Sequence, residues 1–217
     1  MKIALLGATG PTGLEFVNEA LDNGHEVIAL VRNPEKITVK HENLKVLKVD
    51  ILKEDELAEN FKQCDAVVSC LGTSPSWLSL TTVTLYLDSM KVITSAMRKA
   101  GVKRLACMSS MCSKSEPGNP IWVEWILKPL ALGKPLENMA QMEDYLTSQC
   151  SDLDFTVVRP PGLVNGPSTG KRIDASESQF IAGAEWSMPR RDVAKFMLSC
   201  VANSLWLKKI IAIGFPK

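Results

Sequence analysis

Gly7, Gly10 and Gly13 stand at G-x-x-G-x-x-G spacing, directly after the apolar run Lys2-Ile3-Ala4-Leu5-Leu6 and at the opening of a helical pattern. A strand that turns this way into a helix can seat a pyrophosphate. The first two glycines let the backbone turn tightly and approach the anion, the third lets the helix pack on the strand, and the unsatisfied N–H groups of the first helical turn face the charge. The strand and helix around the glycines, more than their spacing, make this a dinucleotide-binding turn. A carboxylate that binds the ribose 2′-hydroxyl of NAD belongs at the end of the second strand, about 20 residues on. Here that place reads Val31-Arg32-Asn33-Pro34-Glu35-Lys36. Arg32 and Lys36 set two cations where a 2′-phosphate would lie, which favours NADP(H), unless Arg32 pairs with a surface carboxylate. Asp50 and Ile51 close the third strand and suit the amino group and face of an adenine. Leu71, Gly72 and Thr73 close the fourth and suit the centre of a cofactor groove. Polar residues at strand ends also serve as plain helix caps.

These positions need a scaffold that brings strand ends to one edge. Apolar runs at Ile3–Leu6, Val27–Val31, Lys45–Val49, Ala66–Leu71, Arg104–Ser109, Phe155–Val158 and Lys209–Ile213 alternate with helical patterns near Thr12–Asn23, Glu54–Lys62, Thr82–Lys99, Leu136–Gln149 and Arg190–Ala202. The alternation predicts a single α/β domain over residues 1–217, doubly wound around a mostly parallel sheet with helices on both faces. Uninterrupted apolar strands fit burial on both sides. Gly24 and Gly101 follow two helices as C-terminal caps, and Pro189 opens the last helix. Two stretches fall outside the alternation: Lys114 to Pro135, part of a substrate-side insertion at about 112–136, and Gly162 to Ser178. Both follow strand ends, where ligands bind in open α/β sheets.

Composition narrows the partners. A formal net charge of +1 with 23% charged residues offers no basic surface for nucleic acid and no anionic-membrane patch. No secretory signal or membrane-spanning run is evident, which leads us to expect a cytoplasmic protein. The six cysteines are scattered without a C-x-x-C pair, and the two histidines stand apart from them, so no metal site is expected. Cys112 is of interest for its nearness to the expected site.

The ordered set GATGPTG, ALVRNPEK, VVSCLGT, TTVTLYLDSMKVITSAMRKAGVKRL, FTVVRPPGL and RRDVAKFML resembles the atypical short-chain dehydrogenases of the NmrA-like group, and within them the biliverdin-IXβ and flavin reductase branch. The resemblance covers nearly the whole chain and is weakest between Ser113 and Glu137. It implies a monomeric, cytosolic enzyme passing hydride from NADPH to flavins and linear tetrapyrroles. Motif by motif it assigns the cofactor to Gly7, Thr9, Gly10, Pro11, Thr12 and Gly13, to Arg32 and Lys36, to Asp50 and Ile51, and to Leu71, Gly72 and Thr73. Met108, Pro161 and Gly162 fall at the nicotinamide end, and Ser109 matches the family's active-site serine. The chain departs from the family at two histidine positions, occupied here by Met139 and Gly162.

Short-chain dehydrogenases commonly protonate a carbonyl oxygen with a tyrosine activated by a lysine four residues on. Neither tyrosine fits, because Tyr86 is followed at that spacing by Met90 and Tyr145 by Gln149. A flavin or bilin spreads the incoming charge over a conjugated system and takes its proton from water, so positioning suffices. Ser109 then orients more than it protonates. Met111, Trp122 and Trp125 offer a stacking surface for a small planar acceptor, although the three-residue spacing of the tryptophans equally suits a short helix burying one face. Trp186 and Trp206 read as structural. Two other functions fit the same groove: a non-catalytic NADP(H)-binding sensor or assembly factor, and a carbonyl or quinone reductase with another proton donor.

Overall fold

The structure, a computed structural model, describes residues 1–72 and 84–216. In chain order it forms β1 (Lys2–Leu6), α1 (Pro11–Asp22), β2 (Glu26–Val31), a 3-10 turn (Pro34–Lys36), β3 (Leu44–Lys48), α2 (Glu54–Phe61), β4 (Ala66–Ser69) and α3 (Leu85–Ala100). It continues with β5 (Arg104–Met108), a π-helical segment (Val123–Leu132), α4 (Gly133–Gln149), β6 (Asp154–Arg159), β7 (Gly162–Val164), β8 (Asp174–Ser176), β9 (Ser187–Pro189), α5 (Arg190–Ala202) and β10 (Lys209–Gly214).

The main sheet runs β3-β2-β1-β4-β5-β6-β10-β8. Its pairs are parallel apart from β8, which is antiparallel to β10, and β7 and β9 form a separate two-stranded sheet. Side chains alternate across each strand, so Ile3 and Leu5 face one core while Ala4 and Leu6 face the other. On the first side Phe16 and Val17 of α1 meet Met197 and Val201 of α5. On the second, Phe61 of α2, Ile93 of α3 and Leu146 of α4 cover the sheet. Phe16 and Phe61 are fully buried, and truncating either to alanine should cost about 3–5 kcal/mol. The chain leaves β1 toward β2 and β3, then returns to β4 on the other flank of β1. The crevice at that reversal is where doubly wound sheets take ligands.

The expected strands and helices are found with ends shifted by one to three residues, the largest shift being α4, which starts at Gly133 instead of Leu136. Gly24 and Gly101 take left-handed φ values of 72° and 77°. The helix expected from Thr82 is described from Leu85. Pro189 is the last residue of β9, with ψ 136°, and stands before α5 instead of inside it. The larger difference is the stretch read as irregular: Val123–Leu132 is π-helical and runs straight into α4. Pro129, which lacks an N–H and suggested a break, is carried in this wider spiral, whose bonding reaches five residues back, as in Gly133 N–H to Lys128 O. Gly162–Val164 and Asp174–Ser176 likewise form short strands.

Candidate functional site

The turn after β1 is built for close approach. Gly7 has φ 80°, and a Cβ there would lie 2.5 Å from the backbone of Cys70 at the end of β4. A Cβ on Gly13 would sit 2.1 Å from the Gly7 carbonyl oxygen. The Gly10 N–H donates to Gly7 O at 3.0 Å, and Leu14 N–H to Gly10 O at 2.9 Å. Gly10 is the N-cap of α1 and Pro11 its first residue, with no side-chain cap and no acidic residue in the first turn. The N–H groups of Thr12 and Gly13 therefore stay open to an anion, at the positive end of the helix. Thr9 is half-buried and the Thr12 side chain buried. A cradle that any Cβ would fill, beneath an uncapped helix, fits a pyrophosphate.

Arg32 leaves β2 exposed, and the 3-10 turn folds the chain back so that Lys36 is exposed beside the same strand end. Among the described residues neither cation makes an ion pair. Asp50 is exposed and its Oδ1 accepts the Leu52 N–H at 3.1 Å, an Asx turn leading into α2. Ile51 is 8% exposed and packs in the core with Leu57 and Phe61. The exposed apolar side chain beside this turn is Leu52, at 59%. At the end of β4, Leu71 packs against the core and Gly72 is exposed. Thr73 lies outside the described residues.

At the end of β5 the structure shows a network that the sequence reading did not find. Ser109 is 3% exposed and Glu143, on α4, is fully buried. The Ser109 hydroxyl donates to Glu143 Oε1 at 2.7 Å, and Ser113 donates to both carboxylate oxygens at 3.1 and 2.9 Å. Arg159, the last residue of β6, closes the carboxylate with Nε at 2.9 Å and Nη2 at 2.6 Å, and its Nη1 donates to Ser178 O at 3.1 Å. Gln179 extends the network, accepting the Lys114 N–H at 3.2 Å and donating to Glu116 at 2.7 Å. A buried carboxylate with every lone-pair direction taken is rigid. Because the Ser109 proton is committed to Glu143, the hydroxyl can offer an outside group only its lone pairs.

The remaining candidates divide. Met108 is half-buried against the α1–α5 core. Cys112 has φ 55° and is fully buried, and burial pushes its thiol up to about 11, which makes it inert at neutral pH. Met139 packs against the α3–α4 core, so no polar group replaces the family histidine there. Gly162 donates its N–H to Trp186 O at 3.0 Å, and a Cβ would lie 2.9 Å from that oxygen. The β7–β9 pairing thus excludes a side chain at the second histidine position. Tyr145 pairs its hydroxyl with Thr94 of α3 at 2.9 Å, and Tyr86 is buried with its hydroxyl near Gly72.

Met111, Pro161, Phe180, Ile181 and Trp186 line a narrow cleft. Trp122 meets Trp186 edge to face, with ring centroids 5.0 Å apart, and Phe180 stacks on Trp186 at 6.4 Å. Trp186, read as structural, is therefore part of the aromatic wall and is 44% exposed. Trp125 points away from it and is 78% exposed. Trp206 lies before β10 and borders a separate hollow with Phe196 and the residues of β8.

The profile of the NAD(P)H-binding family matches residues 7–204. A chloroplastic protein of Arabidopsis thaliana is 29% identical over 188 residues, covering 84% of this chain and 66% of that one, so the chain spans just under two thirds of this relative. The oxidoreductase ylbE of Lactococcus lactis superposes with a TM-score of 0.81 at 24% identity, over 100% of this chain and 92% of its own. SP1627 of Streptococcus pneumoniae, described as a "putative NADH-flavin reductase", does so with 0.76 at 22% identity and 99% of each chain. At these identities the two structures show the shared fold alone. The family match begins at the first glycine of the turn and runs past the end of α5, and the chain belongs to the NAD(P)H-binding family, with the atypical short-chain dehydrogenase architecture that its sequence resembles.

Proposed function

We propose that this chain is an NADPH-dependent reductase that delivers hydride to a small planar acceptor, a flavin or a linear tetrapyrrole. The observation that carries the reading is an aromatic wall joined to a serine network. Trp186, Phe180 and Trp122 form the wall, and Gln179, next to Phe180, leads through Ser113 and Glu143 to a Ser109 hydroxyl held by a saturated carboxylate instead of a Tyr–Lys pair. Such a site can stack and orient a conjugated ring but is poorly equipped to protonate an alkoxide. The cleft itself admits little more than a water-sized group, so a ring would lie along its rim, toward Trp122.

When bound, the cofactor supplies a hydride equivalent from its nicotinamide ring. The chain's own part is positioning. The α1 N-terminus and Gly7–Gly13 hold the pyrophosphate. Arg32 and Lys36, unpaired among the described residues, select the 2′-phosphate. Ser109, fixed by Glu143, accepts a hydrogen bond at the nicotinamide end, and the acceptor's proton comes from water. A reducing, cytoplasmic setting agrees with six buried cysteines, all free. No described helix is long and apolar enough to cross a membrane.

The test is turnover. Purified protein mixed with NADPH and FMN, riboflavin or a bilin should bleach the nicotinamide absorbance at a rate proportional to enzyme. Tight NADPH binding with no oxidation by any of these acceptors would refute the reading and favour a non-catalytic binding role.

A further inference from the structure

The helical segment from Ile121 to Leu130 turns its apolar side to solvent. Ile121 is 76% exposed, Trp125 78%, Ile126 53% and Leu130 76%, with Trp122 at 39%. Pro129 is exposed as well. Positions 121, 125 and 129, and beside them 122, 126 and 130, recur every fourth residue and so form one stripe. The charges face the other way. Glu124 and Lys128 pair at 2.6 Å with side-chain exposures of 21% and 13%. Ser115 and Asn119 donate to Glu124 at 2.6 and 2.7 Å, and Lys128 donates to Ser115 at 2.9 Å. A surface helix ordinarily buries its apolar stripe and exposes its charges; this one does the reverse.

We propose that the stripe is the surface through which two copies of this chain associate about a two-fold axis. Its five large side chains present on the order of 700 Å² of surface, above the roughly 300–600 Å² of the largest patch on a typical monomer and close to the ~800 Å² per partner of a standard interface. A straight stripe of period four is self-complementary when a second helix lies antiparallel upon it, as an isologous contact requires. The stripe itself carries no charge, so its burial strands none. Charge also argues against an anionic lipid surface, which calls for a collar of free cations. Lys128 is neutralised by Glu124, and Lys114 by Asp144 at 2.5 Å. Trp122 belongs to the stripe and touches Trp186, so the interface borders the acceptor wall. This departs from the monomer that the family resemblance implies.

Sedimentation velocity of the full chain from low to high micromolar concentration tests the proposal, with Ile126→Lys and Leu130→Glu run beside it and vesicles of phosphatidylserine and phosphatidylcholine in a parallel flotation assay. The wild type should sediment as two chains. Either substitution should shift it to one chain, a loss of more than about tenfold in self-affinity, with circular dichroism and melting midpoint retained because both side chains are exposed. A single-chain species at every concentration would overturn the proposal. So would a dimer that both substitutions leave intact, or flotation of wild type that Ile126→Lys abolishes.

Discussion

Replacing Glu143 should be among the most damaging single substitutions in the molecule. Its carboxylate is fully buried and accepts from Ser109, from Ser113 and from two nitrogens of Arg159. Glu143→Gln removes the charge that neutralises Arg159, whose side chain is 5% exposed, and sets a new donor against groups that are themselves donors. An uncompensated buried charge of this kind costs about 3–5 kcal/mol, a large share of the ~5–15 kcal/mol that holds a domain folded. Urea denaturation followed by circular dichroism, with midpoint and slope compared, measures the loss. The double variant Glu143→Leu with Arg159→Met should recover most of it, since a buried pair replaced by apolar groups of similar volume is often close to neutral. A loss below about 1 kcal/mol for Glu143→Gln, the size of an ordinary substitution, would refute the view that this network anchors the ends of β5 and β6.

Other consequences follow from local geometry. Gly13→Ala should abolish cofactor binding and lower stability, because its Cβ would overlap the Gly7 carbonyl; calorimetric titration together with a melting curve would show both. Asp152 forms a two-point pair with Arg98 at 2.8 Å, which holds its carboxyl down at about 2, below its usual value near 3.9. The pair therefore adds stability above about pH 4 that is lost as pH falls toward about 2. Asp152 is half exposed, so only about 0.2–1 kcal/mol is at stake, and melting curves of wild type and Asp152→Asn should converge across that window. Burial raises the thiols of Cys64 and Cys112 to about 11 and that of Cys70 to about 12. Ellman's reagent at neutral pH should therefore react with the unfolded chain and leave these three groups untouched in the native one.

Much of the fold could be read from the chain because its strands are buried on both faces. Ala66-Val67-Val68 has no polar interruption to mistake, and the paired strands of β1 impose the same on Ile3 to Leu6. The phosphate turn was legible for a local reason: Gly13 is required by the Gly7 carbonyl within the same turn, although the close approach to Cys70 that also requires Gly7 comes from β4. The Glu143–Arg159 pair was not, since its partners come together only when α4 packs beside β6. One clue was present. Arg159 closes the buried strand Phe155-Thr156-Val157-Val158, and a charge at the end of a buried strand requires a counter-charge. The contact between Trp122 and Trp186 left no local pattern. At Ile121 to Leu130 the tryptophan spacing allowed a short helix that buries one face; the helix is there, but its apolar face points outward, against the usual rule.

The proposed function rests on Arg32 and Lys36 selecting NADPH for reduction. Fluorescence titration of wild type and of Arg32→Glu with NADPH and NADH tests it most directly. Charge-assisted hydrogen bonds to a phosphate contribute about 1.5–3 kcal/mol each, so wild type should prefer NADPH by at least about tenfold. Arg32→Glu should lose NADPH affinity while changing NADH affinity little. Equal affinity of wild type for the two cofactors, or an equal loss of both in the variant, would contradict the account.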